Sequence, residues 1–515
     1  MSSRLHALIL AAGEGTRMKS ELPKVLHQIC GRPMIAYALD LAASLGVKQP
    51  IVVIGHGAEA VKPLLPREAK VVIQAKQLGT GDAVLAAKRA LVGSGDVLIL
   101  YADTPLLKRA TVHRLVETHF KATATCTLLC AHLADPKGYG RIVRNELGQI
   151  TGVVEEADAN AAVRAIREVN VGPFVAKLDA LLGALIAIKP SAATKEFYLT
   201  QAVSPLSRHE SAKLQAVRVE ESAEAIGINS RVELARAIGV IRQRIIEAHL
   251  QNGVTIEDPQ TTFIDHGVSI GLDTVIHPYT RIETRVVIGK RCSIGPFARL
   301  RSGVVLGNGV RVGNFVELVR SKVAPRVRIN HVTYLGDTTV EEDVNIGAGT
   351  VTANYDGQQK HPTHIGKGAF IGCDTVLIAP VKVGPGAITG AGSVVPKAHD
   401  VPAKSVVVGV PAQIVSRDGR PARPPPPVGK PKAQAPQAGV PPERRAVTPK
   451  LRRRGKISSA ARRAAKRPQR ANVARRTATK GQRRPRGSPR GRTAPRALRA
   501  GAGARTTTRK AARKR

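Results

Sequence analysis

Several short stretches carry residue types whose spacing suits phosphate, base and proton-transfer chemistry. In Leu8-Ile9-Leu10-Ala11-Ala12-Gly13-Glu14-Gly15-Thr16-Arg17 an apolar run ends at two glycines, the pattern of a buried strand feeding a loop whose backbone can approach a ligand. Arg17 and Lys24 set two cations beside that loop, and Pro23 restricts the chain just before Lys24, giving its ammonium a defined approach. Such a loop is a seat for phosphate. Gln74 and Gly79-Thr80 follow the apolar run Val71–Ile73, where an amide and backbone groups can read a base edge by paired hydrogen bonds; a solvated loop is the alternative. Asp103 directly follows Val97-Leu98-Ile99-Leu100-Tyr101-Ala102. A carboxylate there serves as a turn residue or as a hard oxygen ligand for a metal bound to phosphates. His331, with Tyr334, Asn345, Asn354 and Tyr355 behind it, stands at a break in a regular repeat. An imidazole so placed can take a proton from an amine, although a lone histidine is more often structural.

Two kinds of element must position these groups. Up to about residue 230, short β-rich runs alternate with longer helical patterns, which predicts an α/β, Rossmann-like domain with a mostly parallel sheet under helices. Its clearest strands are expected at 7–10, 51–54, 71–73, 97–100 and 125–129. In such sheets ligands sit outside the carboxyl ends of the strands, where the motifs fall. Leu234, Ile238, Ile241 and Ile245 then share one face of a helix expected over 231–250, a connector without a catalytic candidate. From Ile264 an aliphatic residue recurs at every sixth position to Leu318, resumes at Val340 and Ile346, and again at Ile365, Ile371, Leu377 and Val383. Such hexads predict a parallel β-helix, with an interruption between Leu318 and Val340. The repeats alone leave a purely structural prism open.

Composition sets the bounds. The 515 residues suffice for two or three domains, and 43% apolar content suits a globular chain. The net charge of +42 is uneven: from Arg420 onward 32 Lys and Arg face the single acid Glu443. Cys30, Cys126, Cys130, Cys292 and Cys373 are scattered without paired spacing, so neither disulfides nor a zinc site are expected and a reducing cytoplasm is. The apolar run from Leu5 to Ala12 is too short for a signal segment or a membrane span.

The pattern L-x-A-G-x-G-T-R-M-x(4)-P-K through Lys24 resembles the signature of the sugar-nucleotide pyrophosphorylases. Neither a Walker loop nor a dinucleotide fingerprint fits as well. Gly138-Tyr139-Gly140-Arg141, Val154-Glu155-Glu156, Val169-Asn170-Val171-Gly172 and Gly227-Ile228-Asn229-Ser230 follow in the family's order. Asn330-His331-Val332-Thr333-Tyr334-Leu335-Gly336-Asp337 and Thr352-Ala353-Asn354-Tyr355-Asp356-Gly357 are similar to glucosamine-1-phosphate N-acetyltransferase. Together they resemble the bifunctional GlmU family, over roughly residues 5 to 412.

The resemblance implies acetyl transfer from acetyl-CoA to glucosamine 1-phosphate, then uridylyl transfer from UTP to N-acetylglucosamine 1-phosphate with release of pyrophosphate. The product would be UDP-N-acetylglucosamine, feeding peptidoglycan and lipopolysaccharide synthesis. It implies Arg17, Lys24 and His331 as catalytic. Leu10, Ala11, Ala12, Gly13, Lys24, Gln74, Gly79, Thr80, Tyr101, Ala102, Asp103 and Asn229 would bind UTP or the UDP-sugar, with Gly140, Glu155 and Asn170 toward the sugar. Mg²⁺ would be held by Asp103 and Asn229. Arg301, Val319, Tyr334 and Asn345 would line the glucosamine phosphate site, and Ala348, Asn354, Tyr355, Cys373 and Ala391 the acetyl-CoA site. A homotrimer with sites between neighbours is implied as well.

The chain departs from the family's pattern where Ala102 replaces Gly, Val171 Thr, Gln201 Asp, Val319 Lys, Asn330 Gly and Cys373 Ser. Loss of the Lys removes a phosphate partner; Arg320 is its charged neighbour, expected on the opposite face. The expected organisation is a uridylyltransferase domain over 1–230, the linker helix over 231–250, a left-handed β-helix acetyltransferase domain over 251–415 and a disordered Pro/Ala/Arg/Lys-rich tail over 416–515. Such a tail cannot bury enough surface to fold and would bind nucleic acid or another polyanion without sequence preference. A monofunctional nucleotidyltransferase with a structural β-helix and a polyanion-binding protein remain as alternatives.

Overall fold

The computed structural model describes residues 5–421 apart from 92, 94, 209 and 210, so the expected basic tail lies outside the described residues from 422 onward. The first part is a nine-stranded sheet. Its strands are β1 (Leu5–Ala11), β2 (Ile51–Ile54), β3 (Lys70–Ile73), β4 (Asp96–Tyr101), β5 (Cys126–His132), β6 (Arg141–Arg144), β7 (Ile150–Val154), β8 (Glu168–Lys177) and β9 (Leu214–Arg218). The order is β9-β5-β8-β4-β1-β2-β3, with β6 against β8 and β7 against β6. Around it lie α1 (Ile35–Ser44), α2 (Thr80–Ala86), α3 (Arg109–Lys121) and α4 (Leu178–Ala187).

Alternation explains the continuous apolar runs. Ile9 and Ala11 of β1, Val52 and Ile54 of β2 and Leu98 and Leu100 of β4 pack on one face with Ile35, Ala38 and Leu41 of α1 and Val112 and Leu115 of α3. The intervening Leu8, Leu10, Ile51, Val53, Val97 and Ile99 pack on the other, with Ala83 and Val84 of α2 and Leu181 and Leu185 of α4. A strand covered on both faces has no polar side to show. β2 and β4 flank β1 in parallel, so the chain reverses its sideways progress across β1 and opens a crevice beyond its carboxyl end. The sheet is not uniformly parallel: β8 runs antiparallel to β4 and to β5. That strand escapes the apolar pattern because Asn170, Gly172 and Pro173 punctuate it, and its register shifts between Asn170 and Phe174.

The connector is α5 (Arg231–Gln251). Ser230 starts it with a capping box: its hydroxyl accepts from the Val232 amide at 3.3 Å, and its own amide donates to Glu233 Oε2 at 2.6 Å. Leu234, Ala237 and Ile241 are buried with Met18, Ile29 and Met34 of the first domain, whereas Ile246 is buried in the core of the second. One helix therefore plugs into both cores.

The second part is a left-handed parallel β-helix. Residues 18 apart stack: Ile264 on Ile282, Ile282 on Leu300, Leu300 on Leu318, each sending an aliphatic side chain into one apolar core. The expected interruption after Leu318 is absent. β10 (Arg311–Val319) and β11 (Arg328–Gly336) stack in parallel from Arg311 on Arg328 to Val319 on Gly336, and Val323, Ile329 and Leu335 are buried along the axis. What changes is coil length: Leu318 stacks on Leu335, 17 residues away, and a period of exactly six loses the phase although the solenoid continues. A longer excursion after Ala353, closed by a bridge between Tyr355 and Lys360, separates Ile346 from its partner Ile371. At the far end Gln413–Arg417 pairs antiparallel with Ser405–Val408, so the last described strands run past 415, where the tail was expected to start.

Gly313 shows how closely coils approach. A Cβ there would lie 1.8 Å from the Asn330 carbonyl oxygen, which is backbone and cannot rotate aside. Gly313→Ala is expected to cost about 1–3 kcal/mol through overpacking, read as a lowered unfolding midpoint in chemical denaturation. An unchanged midpoint would mean that the coils part easily.

Candidate functional site

At the carboxyl end of β1 the chain turns through Gly15, whose φ of 67° is left-handed, into a short 3₁₀ turn at Thr16–Met18. A second 3₁₀ turn, Lys24–Leu26, starts behind Pro23. These turns and the ends of β3 and β4 enclose a cavity of about 430 Å³. Leu10, Ala11, Ala12, Gly13, Arg17, Lys24, Gln74, Gly79, Thr80, Tyr101, Asp103 and Asn229 all line it, so nearly every residue expected at the nucleotide comes to one place. Ala102 does not line it: it is 1% exposed, and its amide donates to the Leu10 carbonyl at 3.0 Å between adjacent strands.

Lys24 Nζ donates to Asp103 Oδ2 at 2.6 Å and to Asn229 Oδ1 at 3.1 Å. The backbone makes that convergence, because the Ile228 amide donates to the Asp103 carbonyl at 2.9 Å and the capping box holds the next turn. Two oxygens from distant segments thus share one cation, which is the donor set that a hard divalent ion bound mainly by substrate phosphates takes. Among the described residues no group of three or more His, Cys, Asp or Glu could hold a metal by itself.

A second compartment of about 250 Å³ shares Thr80, Tyr101, Asp103 and Asn229 with the first and adds Gly140, Glu155 and Asn170. The bulge in β8 aims Asn170 into it; that residue is 8% exposed, and its Oδ1 has no partner in the protein. An orphaned buried acceptor facing a cavity suits a ligand hydroxyl or amide. Glu155 accepts from Thr200 Oγ1 at 2.6 Å, and burial holds its carboxyl above the usual range. Burial likewise raises the Tyr101 hydroxyl.

On the β-helix the expected residues divide between two corners of the prism. His331, Ala348, Cys373 and Ala391 belong to successive coils at one corner, linked where Gly349 N donates to Val332 O, Asp374 N to Ala348 O and Gly392 N to Cys373 O, all at 2.7–2.8 Å. Arg301, Val319 and Asn354 stand at the other, and Tyr334 and Asn345 lie on strands leading between corners. Over Gly336 the Tyr334 hydroxyl and the Asn354 amide converge, since a Cβ there would meet them at 2.7 and 2.6 Å. Tyr355 is exposed on the excursion beyond.

His331 Nδ1 lies 2.8 Å from Asn314 Oδ1, one coil away; an amide oxygen only accepts, so this contact favours the neutral tautomer with the proton on Nδ1 and a free lone pair on Nε2. Val319 is 2% exposed, a buried apolar side chain with no charge to offer a ligand. Arg320 is committed to Asp337 by two contacts of 2.6 and 2.7 Å, and Asn354 Nδ2 donates to the same carboxylate at 2.5 Å. Arg301 pairs with Glu317 at 3.1 Å. Sequence reasoning passed over Asn314, Thr200 and Asp82, which touch expected site residues across coils or turns; only the 17-residue offset from Asn314 to His331 could have drawn attention to one of them.

Comparison with known proteins agrees with both halves. Residues 7–168 match the family described as MobA-like NTP transferase domain, and residues 285–320 and 362–397 match bacterial transferase hexapeptide repeats. A bifunctional protein GlmU of Heliobacterium modesticaldum is 44% identical over 436 residues, covering 78% of this chain and 94% of that protein. The bifunctional protein GlmU of Caldanaerobacter subterraneus is 42% identical over 437 residues, covering 78% and 95%. A crystal structure of UDP-glucose pyrophosphorylase complexed with UDP-glucose aligns at 18% identity and a TM-score of 0.40, over 47% of this chain and 100% of that one, too partial a likeness to carry weight. With such identity sustained along nearly the whole of each curated relative, the chain belongs to the bifunctional GlmU family, and it is an enzyme with a nucleotidyltransferase domain and hexapeptide acyltransferase repeats on one polypeptide.

Proposed function

We propose that the chain makes UDP-N-acetylglucosamine in two steps: the β-helix acetylates glucosamine 1-phosphate from acetyl-CoA, and the sheet domain transfers uridylyl from UTP to the resulting N-acetylglucosamine 1-phosphate. The convergence of Lys24, Asp103 and Asn229 at the mouth of the sheet, open to two joined compartments, carries this reading. UTP occupies the larger compartment with its phosphates over Gly13–Arg17, and the sugar phosphate enters from the smaller one, held by Gly140, Glu155 and Asn170. Asp103 and Asn229 would hold Mg²⁺, which would supply charge neutralisation at the phosphates. Arg17 and Lys24 stabilise the charge that spreads over the α-phosphoryl oxygens as the sugar phosphate oxygen attacks in line and pyrophosphate departs. Positioning does the rest, since no covalent intermediate is needed.

At the β-helix the amine of glucosamine 1-phosphate attacks the thioester carbonyl of acetyl-CoA, the C–S bond breaks, and His331 Nε2 accepts the amine proton and returns it to the departing sulfur, so that coenzyme A leaves as the thiol. Asn314 holds the ring in the tautomer that makes Nε2 basic. Arg301, Tyr334 and Asn345 take the sugar phosphate, and Ala348, Asn354, Tyr355, Cys373 and Ala391 take acetyl-CoA. Because these residues sit at two corners of one prism, neighbouring copies in a homotrimer would complete the enclosure.

Release of pyrophosphate from UTP with N-acetylglucosamine 1-phosphate, and of free thiol from acetyl-CoA with glucosamine 1-phosphate, assayed separately, tests the proposal. Pyrophosphate without thiol would leave a nucleotidyltransferase on a structural β-helix. Asn314→Ala is expected to slow thiol release by about tenfold to a hundredfold, part of what a positioned base contributes, with pyrophosphate release unchanged. Asn314→Asp, which keeps an acceptor, should recover most of the rate; equal rates in wild type and Asn314→Ala would remove the orienting role.

A further inference from the structure

Gln74, at the end of β3, is 4% exposed and lines the nucleotide cavity. Its Nε2 donates to Asp82 Oδ2 at 2.7 Å and to the Gly79 carbonyl at 3.1 Å. A carboxylate and a carbonyl only accept, so both amide hydrogens are committed to the protein and the orientation of the carboxamide is settled by its partners. The group left to face a ligand is Oε1, an acceptor. Asp82 is itself held firmly, in the first turn of α2. There the Gly81 amide donates to the Phe197 carbonyl at 2.7 Å, and Thr80 Oγ1 accepts from the Leu199 amide at 2.9 Å.

We propose that Asp82 is a positioning residue that makes this pocket select a pyrimidine with an imide N–H, uracil, over cytosine. The inference rests on the nucleotide reading of the cavity given above. Uracil presents acceptor, donor and acceptor along its O4, N3–H and O2 edge, and Oε1 of Gln74 meets the central N3–H. Cytosine presents a bare N3 acceptor at that point and an amino donor in place of O4. An unrestrained glutamine could turn its amide over and offer N–H to cytosine N3. Here the turn would set Oε1 against the Asp82 carboxylate and the Gly79 carbonyl, exchanging two hydrogen bonds, one of them charge-assisted, for two oppositions of like partial charge. Asp82 never touches the base; it removes the orientation in which cytosine would be read.

The experiment measures kcat/KM for UTP and for CTP with saturating N-acetylglucosamine 1-phosphate and Mg²⁺, in wild type, Asp82→Ala and Asp82→Asn. The unfolding midpoint of each variant in chemical denaturation reports whether the sheet domain is folded. The UTP-to-CTP ratio is expected to fall by about tenfold to a hundredfold in Asp82→Ala, the range set by one well-placed base contact. The fall comes from loss on UTP with CTP held or improved, and KM for the sugar phosphate stays put. Asp82→Asn, whose Oδ1 can still accept, should fall between wild type and Asp82→Ala. A proportional loss on both nucleotides, leaving the ratio unchanged, overturns the proposal and assigns Asp82 a structural role. A wild type that uses neither nucleotide overturns the nucleotide reading itself, a result distinct from a selective wild type whose selectivity survives the substitution.

Discussion

Lys24→Ala is expected to lower pyrophosphate release by at least about a thousandfold while thiol release at the β-helix continues at the wild-type rate. The ammonium holds two oxygens, Asp103 Oδ2 and Asn229 Oδ1, and reaches the same cavity as Arg17 and the Gly13–Gly15 loop. Removing it takes away a positive charge from the place where phosphoryl charge develops. Before a metal ion binds, it also leaves the Asp103 carboxylate without its ion pair. Lys24→Arg separates charge from geometry, because a planar guanidinium cannot occupy the point that a compact ammonium shares with two oxygens. It should therefore recover little. If Lys24→Ala retained near wild-type turnover, the cavity would not be where phosphoryl transfer happens.

His331→Ala is expected to reverse the pattern, with thiol release falling by about a hundredfold to ten-thousandfold and pyrophosphate release unchanged. His331 lies at a corner of the β-helix, and its Nδ1 is engaged by Asn314, so substitution removes the proton acceptor with little buried surface. The variant's kcat should carry the loss, with KM for acetyl-CoA close to wild type, since that co-substrate is assigned to other coils. Loss of both activities in a folded His331→Ala protein would contradict two independent sites. Retention of thiol release would reduce the histidine to a structural member of the corner.

Much of the sheet was legible because strands covered on both faces leave apolar runs in the sequence, as β1, β2 and β4 do. β8 was not, since its bulge requires Asn170, Gly172 and Pro173 within the strand, and those residues read as a loop until neighbouring strands are seen to flank them. The hexads announced the solenoid, yet a strict six-residue template turned a coil one residue shorter into an apparent gap. That gap holds β11, which stacks on β10 along its length and brings His331 to Asn314. The nucleotide residues were legible as a set because the stretches Leu10–Arg17, Gln74–Thr80 and Tyr101–Asp103 lie at or beyond the carboxyl ends of strands, where ligands sit in such sheets, whereas Asn229 was legible only through the family resemblance. Asp82 escaped notice because a carboxylate in a helix's first turn is ordinary, and only its hydrogen bond to Gln74 gives it another meaning. Arg320 shows the opposite case: alternation put it on the face away from Val319, and its pairing with Asp337 accounts for its charge.

The central claim is that two separate sites act in succession on one amino sugar. Acetyl-CoA labelled in the acetyl group, incubated with glucosamine 1-phosphate, UTP, Mg²⁺ and the full chain, should deliver its label to a nucleotide-linked sugar, with thiol and pyrophosphate released in equal amounts. Label that stops at the sugar phosphate, or a nucleotide sugar formed without label, would contradict it.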